Sequence, residues 1–156
     1  MKRLIKVQYK RRRQNKTDYL ARRNLLESGV PRLVVRKTNR YILAQVIQSY
    51  EARDKIICSA NSKELVEYGL KPTFSIKNLS ASYLTGYLCS LRAIGKNIKK
   101  VILDIGLQRS TKGSKLYALA KGAIDAGIEL NCSEEMFPAE IEIDDKILSK
   151  IKEKHN

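Results

Sequence analysis

The pattern of apolar residues changes from period two to helical spacing at Asn61, and that change restricts the fold more than any other feature. Arg32-Leu33-Val34-Val35-Arg36-Lys37 and Tyr41-Ile42-Leu43-Ala44-Gln45-Val46-Ile47-Gln48 are rich in β-branched and aromatic residues, the composition of strands. Thr38-Asn39-Arg40 lies between them, and Asn39 tolerates the left-handed backbone of a tight turn, so the two runs predict an antiparallel hairpin. A third run, Lys55-Ile56-Ile57-Cys58-Ser59-Ala60, follows the polar link Glu51 to Asp54 and extends the same sheet as a meander.

From Asn61 the spacing becomes helical. Asn61 with Glu64 three residues later has the form of a capping box, and Gly69 stops a short helix. Beyond a loop at Pro72, Leu79, Tyr83, Leu84, Tyr87, Leu88, Leu91 and Ile94 form a helical stripe ending at Gly95, with Asn78 or Ser80 placed to cap its start. Val101-Ile102-Leu103-Asp104-Ile105 is a compact strand candidate. Leu116, Leu119, Ala120, Ala123 and Ile124 then mark another helix up to Gly127. The order β-β-β-α-α-β-α predicts an α/β fold: a single-domain sandwich of one mixed, mostly antiparallel sheet, its fourth strand reached by a helical crossover, with helices packed against it.

Three regions follow. Residues 1–30 form a basic arm with a short helix, which Thr17 or Asp18 can cap and which Gly29 and Pro31 end; residues 31–128 form the α/β core. Residues 129–156 form an acidic tail, read as an ordered edge becoming a loosely held terminus with a short amphipathic Ile147-Leu148-Ile151 segment. At 156 residues, one compact domain is expected. No apolar stretch approaches the length of a membrane span, and the residues from Met1 to Val7 lack a secretory signal's apolar run, so an intracellular protein is expected. Cys58, Cys89 and Cys132 are widely spaced, with no Cys-x-x-Cys pair, and read as buried free thiols.

Charge is distributed unevenly. The first forty residues hold fourteen Lys or Arg against Asp18 and Glu27, a net +12 of the chain's formal +15. Residues 41–127 are a modest +7 and residues 128–156 are −4. A field so concentrated attracts a polyanion, because each phosphate it neutralises releases condensed counterions. Nucleic acid is the leading partner; a solvated face or a tail is the plainer reading of such a run.

The candidate contacts group by region. In the arm, Lys10, Arg11, Arg12, Arg13, Lys16, Arg22 and Arg23 are interleaved with Tyr9 and Tyr19, rings that can stack on bases while guanidinium groups fork onto phosphates. Tyr19 can equally staple the arm to the core. Arg32 opens the first strand, and the hairpin presents Arg36, Lys37, Thr38, Asn39, Arg40 and Tyr41 in a protruding turn. Gln45 and Gln48, polar within a strand, suit a wet partner or plain solvent. The stretch Gly106 to Lys115 lies between strand and helix, but six residues separate its glycines, so it is not a nucleotide-binding P-loop. Free amides at a helix N-terminus with Arg109, Lys112, Ser114 and Lys115 nearby still suit a phosphate.

Catalytic constellations are thin. His155, the only histidine, sits next to the last residue and is expected to be solvated. Asp104 and Asp125 could approach one another and bind a divalent metal as nuclease carboxylates do, but a cap or salt bridge explains each as well. A metal-dependent nuclease and a general nucleic-acid-compacting protein are the two rival readings.

The sequence resembles a known family. Tyr9-Lys10-Arg11-Arg12-Arg13, Lys16-Thr17-Asp18-Tyr19 and Ser28-Gly29-Val30-Pro31-Arg32-Leu33-Val34-Val35-Arg36-Lys37-Thr38-Asn39 are similar to the opening of large-subunit ribosomal protein L-eighteen in its archaeal and eukaryotic form. Ala81-Ser82-Tyr83-Leu84-Thr85-Gly86, Leu103-Asp104-Ile105-Gly106-Leu107, Lys121-Gly122-Ala123-Ile124-Asp125-Ala126-Gly127 and Met136-Phe137-Pro138 continue the likeness over nearly all of residues 7–140. The resemblance implies a cytoplasmic, ribosomal, RNA-binding protein that binds 5S rRNA and helps dock it onto the large-subunit rRNA in the central protuberance, beside neighbouring ribosomal proteins. It also implies a ribonuclease H-like outline, no catalysis, no cofactor, no small-molecule substrate and no membrane. By that resemblance the arm around Lys10 to Arg23, the hairpin around Arg36 to Tyr41 and the loop around Lys112 to Lys115 face RNA. Relatives of this kind usually continue into a longer C-terminal extension, whose contacts the resemblance does not carry over here.

Overall fold

A computed structural model describes residues 7–51, 53–71 and 76–155. The loop at Pro72 and residues Met1 to Lys6 of the signal reading lie outside them. Two short helices, α1 (Lys10–Arg13) and α2 (Tyr19–Glu27), precede the sheet. Asp18, and not Thr17, caps α2: its carboxylate accepts from the amides of Leu20 at 2.9 Å and Ala21 at 3.1 Å. Thr17 instead accepts from the Arg11 guanidinium at 2.9 Å, which ties α1 to the start of α2.

The sheet contains β1 (Arg32–Lys37), β2 (Ile42–Tyr50), β3 (Arg53–Asn61), β4 (Lys100–Asp104) and β5 (Glu129–Leu130), in the order β3-β2-β1-β4-β5. β1 and β3 flank β2 antiparallel, as the meander requires, while β4 runs parallel to β1 and β5 parallel to β4. The sheet is therefore mixed, and the expected α/β architecture is present. The hairpin turn is built differently from expectation. Among the described residues other than glycine, those in the left-handed region are Asn15, Glu51 and Asn97, and Asn39 is not one of them. The Thr38 hydroxyl closes the turn by donating to the Tyr41 carbonyl at 2.9 Å and accepting from the Tyr41 amide at 2.8 Å.

One face of the sheet carries the core. Leu33 and Val35 of β1, Ile42, Ala44 and Val46 of β2 and Cys58 and Ala60 of β3 point towards α3 (Leu79–Ile94) and α4 (Lys115–Asp125). The capping box at Asn61 and Glu64 forms as expected and opens a short 3₁₀ helix, Ser62–Val66. Asn78 caps α3, accepting from the Ala81 amide at 2.7 Å. The two helices approach closely through reciprocal glycines. A Cβ on Gly86 would lie 2.1 Å from the Leu119 carbonyl oxygen, and one on Gly122 would lie 2.2 Å from that of Tyr83. Cys58 and Cys89 are buried free thiols and Cys132 is half-buried.

The terminus is not loosely held. β5 extends the sheet, and α5 (Asp145–His155) places Ile147 and Ile151 in the common core, the latter with no exposed surface. His155 is half-buried, with its Nε2 3.1 Å from the Tyr68 hydroxyl, so the expectation of a solvated terminal histidine fails as well. Two side chains, one on α3 and one just beyond its end, blunt the β3 edge, where unpaired groups invite aggregation: Arg92 donates to the Ser59 carbonyl at 2.6 Å, and Lys96 donates to that of Ile57. Among the described residues, no helix is long and apolar enough to cross a membrane.

Candidate nucleic-acid interface

The second face of the sheet is only partly covered. Alternation along β1 turns Arg32, Val34 and Arg36 to this face, opposite Leu33 and Val35. Asp104 pairs with Val34 across the parallel ladder and shares the face. α2 stands over this region without burying any of its own residues, and the gap beneath it is a cleft of about 750 Å³. Leu25 of α2 and Leu103, Ile105 and Leu107 at and beyond the end of β4 give it apolar walls. Arg11, Lys16, Arg22, Arg36 and Lys37 give it a cationic rim.

An ion-pair network underlies the cleft. Arg32 donates to Asp104 at 2.7 Å, to Asp54 at 3.1 Å and to the Ser49 hydroxyl at 3.1 Å. With 2% of its surface exposed, it is committed to this network, and the structure does not bring it to a surface with the other candidate residues. A cation at the start of a strand looks the same in sequence whether buried or exposed, so sequence alone does not separate Arg32 from the surface cations. Arg22 also reaches Asp54, at 2.7 Å, and so pins α2 to β3. Burial opposes ionisation of Asp54, but the Ser49 hydroxyl and the Arg22 and Arg32 guanidinium groups outweigh it and hold the carboxyl below its ordinary range.

The arm residues Tyr9, Lys10, Arg11, Arg12, Arg13, Lys16 and Arg23 are exposed. Tyr19 does not staple the arm to the core. It packs on Tyr9 within the arm, ring centroids 5.4 Å apart, leaving Tyr9 75% exposed. Arg23 pairs with Glu27 one turn along the same helix. At the hairpin, Lys37, Thr38, Asn39 and Arg40 are exposed, and Tyr41 and Gln45 are half-buried.

Lys37 connects this region to the third group. The Asn39 carbonyl accepts from Lys77 at 2.9 Å, and Lys115 at the start of α4 lies close enough to feel both Lys37 and Lys77. Burial first, and then these two cations, push the Lys115 amine below its ordinary value. Lys77 was not among the residues singled out from sequence, because a lone lysine before a helix cap carries no signal of its own. Arg109 is exposed, whereas Lys112 is partly neutralised by Glu135 at 3.0 Å. Ser114 stands at the N-cap position of α4 without a side-chain cap bond, its hydroxyl oxygen buried, so that hydroxyl faces inward and not towards a ligand.

The two candidate metal carboxylates are kept apart. Asp104 is held between Arg32 and Arg36, while Asp125 in the helical layer accepts from the Tyr83 hydroxyl at 2.8 Å. Burial and then Asp125 raise the Tyr83 phenol well above its ordinary range.

The arrangement is a surface rich in cations from three parts of the chain. The family model described as ribosomal large subunit proteins 60S L5 and 50S L18 matches residues 3–99 and 92–133. Large ribosomal subunit protein uL18 of Korarchaeum cryptofilum is 48% identical over 149 residues, covering 96% of this chain and 75% of the relative. The proteins of the same name from Caldivirga maquilingensis and Methanobrevibacter smithii are 49% and 46% identical over 86% and 88% of the chain. The matched part spans 65% and 70% of their respective lengths. With matches of this extent, the chain belongs to the family of large-subunit ribosomal proteins, structural parts of the ribosome and not enzymes.

Proposed function

We propose that this ribosomal protein binds 5S rRNA and helps attach it to the large-subunit rRNA in the central protuberance. The observation that carries this reading is the meeting of three separate chain segments in one cationic surface. Arg11, Lys16 and Arg22 of the arm share a cleft with Arg36 and Lys37 of the hairpin, and Lys37 in turn neighbours Lys77 and Lys115. Arg22 and Arg36 each have a carboxylate partner, but Arg11, Lys16, Lys37, Lys77 and Lys115 have none among the described residues, and cations held together in this way repel one another unless a polyanion compensates them. In this reading Lys10, Arg12, Arg13, Arg40 and Arg109 extend the phosphate-contacting surface, and exposed Tyr9 offers a face to a base. The arm of residues 1–30 and the core of residues 31–128 both face RNA. In the same reading the acidic tail of residues 129–156, whose Glu135 pairs with Lys112, shields the domain from wrong phosphate contacts or meets a basic neighbour.

Competition binding tests this directly. Labelled 5S rRNA should stay bound in the presence of duplex DNA at equal phosphate concentration, because shape and unpaired bases distinguish folded RNA from a regular duplex. Equal displacement by DNA would favour the general compacting protein instead.

A further inference from the structure

We propose that the cleft between α2 and the ends of β1 and β4 receives a single unstacked RNA nucleotide, its base lying on the guanidinium plane of Arg36. The inference rests on the RNA-binding reading above and adds a defined site to it. The platform is fixed before any ligand arrives. The Arg36 guanidinium donates to the Val35 carbonyl at 2.8 Å and the Asp104 carbonyl at 3.3 Å, and its other terminal nitrogen lies 3.6 Å from the Asp104 carboxylate. Beneath it is Gly106, with φ +62°. A Cβ there would meet three guanidinium atoms at 3.1, 3.3 and 3.4 Å, so the planar group lies flat over a residue with no side chain.

An arginine anchored at so many points would ordinarily be covered, yet this side chain is 44% exposed. A rigid guanidinium plane with an open face is a stacking surface for an RNA base. The rest of the cleft matches the remaining parts of a nucleotide. Leu25 and Ile105 supply apolar walls, while Lys16 and Lys37 on the rim can meet flanking phosphates. The cleft's carboxylates are already engaged: Asp104 by Arg32 and Arg36, and Asp18 by the first amides of α2. The rim thus keeps a surplus of positive charge, which favours a phosphate-bearing occupant over an aromatic side chain of another protein. At about 750 Å³ the space also falls within the usual range for small-ligand clefts.

Two variants of the full chain test the site against 5S rRNA. Ala21→Trp fills the cleft from an exposed position on α2 without removing a charge. Arg36→Lys keeps the charge but removes the plane. Each should weaken binding about tenfold, the order expected for loss of one stacked base, while leaving the salt dependence of affinity unchanged. Circular dichroism should show both variants folded. RNA carrying in turn a photoreactive analogue of each base should cross-link to peptides containing residues 17–25 or 103–108, and Ala21→Trp should abolish those products. Cross-links confined to other peptides, with both variants binding like the parent, would overturn the nucleotide site and leave 5S recognition standing. Failure of the parent chain to bind 5S rRNA would remove both.

Discussion

Arg32 and Asp104 show how far one residue's sequence context can mislead. Arg32 begins a strand in the most basic part of the chain, but it is a buried ion-pair partner of residues 72 and 22 positions away. Separations of that size leave no local trace: the β1–β4 pairing brings Asp104 to Arg32, and the β1–β2–β3 meander brings Asp54. Removing one member of such a group leaves an uncompensated buried charge. Arg32→Met should therefore cost about 3–5 kcal/mol in urea denaturation, with little change in the salt dependence of RNA binding. Asp54 makes a prediction about pH. Its carboxyl titrates lower in the folded chain than its ordinary value of 3.8. The stability it contributes is therefore complete above that pH and lost as pH falls through the lower, folded-state value. A carboxyl carbon NMR titration should place its midpoint below 3.8, and Asp54→Asn should flatten the acid limb of the stability profile.

Periodic elements were legible and short or reciprocal ones were not. The three long strand runs, both core helices and the capping box at Asn61 all follow from local pattern, because each carries enough residues to establish a period. β5 has two residues, too few for any period. α5 was visible only as Ile147, Leu148 and Ile151 among charges, and its docking depends on partners such as Tyr68 far back in the chain. Ile151→Ala should destabilise the protein by about 2–5 kcal/mol, measured by denaturant unfolding; a loosely attached terminus would show almost no change. The glycines inside α3 and α4 were also visible, but not the fact that each lies against the other helix. Gly86→Ala drives a methyl group into a backbone carbonyl, which cannot rotate away as a side chain could. Its cost should reach or exceed the roughly 3 kcal/mol upper end for overpacking, seen as a lowered unfolding midpoint.

Across the molecule, the charge asymmetry between the first forty residues and the rest was plain in the sequence, and so was the α/β architecture. The way the charge is arranged was not. Which cations remain free depends on tertiary pairing: Arg32 is consumed by the ion-pair network, Lys112 is shared with Glu135, and Lys77 joins Lys37 and Lys115 through a contact with the hairpin turn. Lys77→Glu should accordingly weaken RNA binding more than Lys112→Glu, since it reverses charge in an unpaired cluster; filter-binding titrations would rank the two. The most direct measurement is the dependence of 5S rRNA affinity on salt concentration, taken for the parent chain and for a variant with Arg11, Arg12 and Arg13 replaced by alanine. If about eight phosphates are neutralised, the log–log slope should be roughly −6 to −7, and the variant should bind more weakly with a shallower slope. A parent slope near zero, or an identical slope in the variant, would contradict a protein that holds folded RNA through its clustered cations.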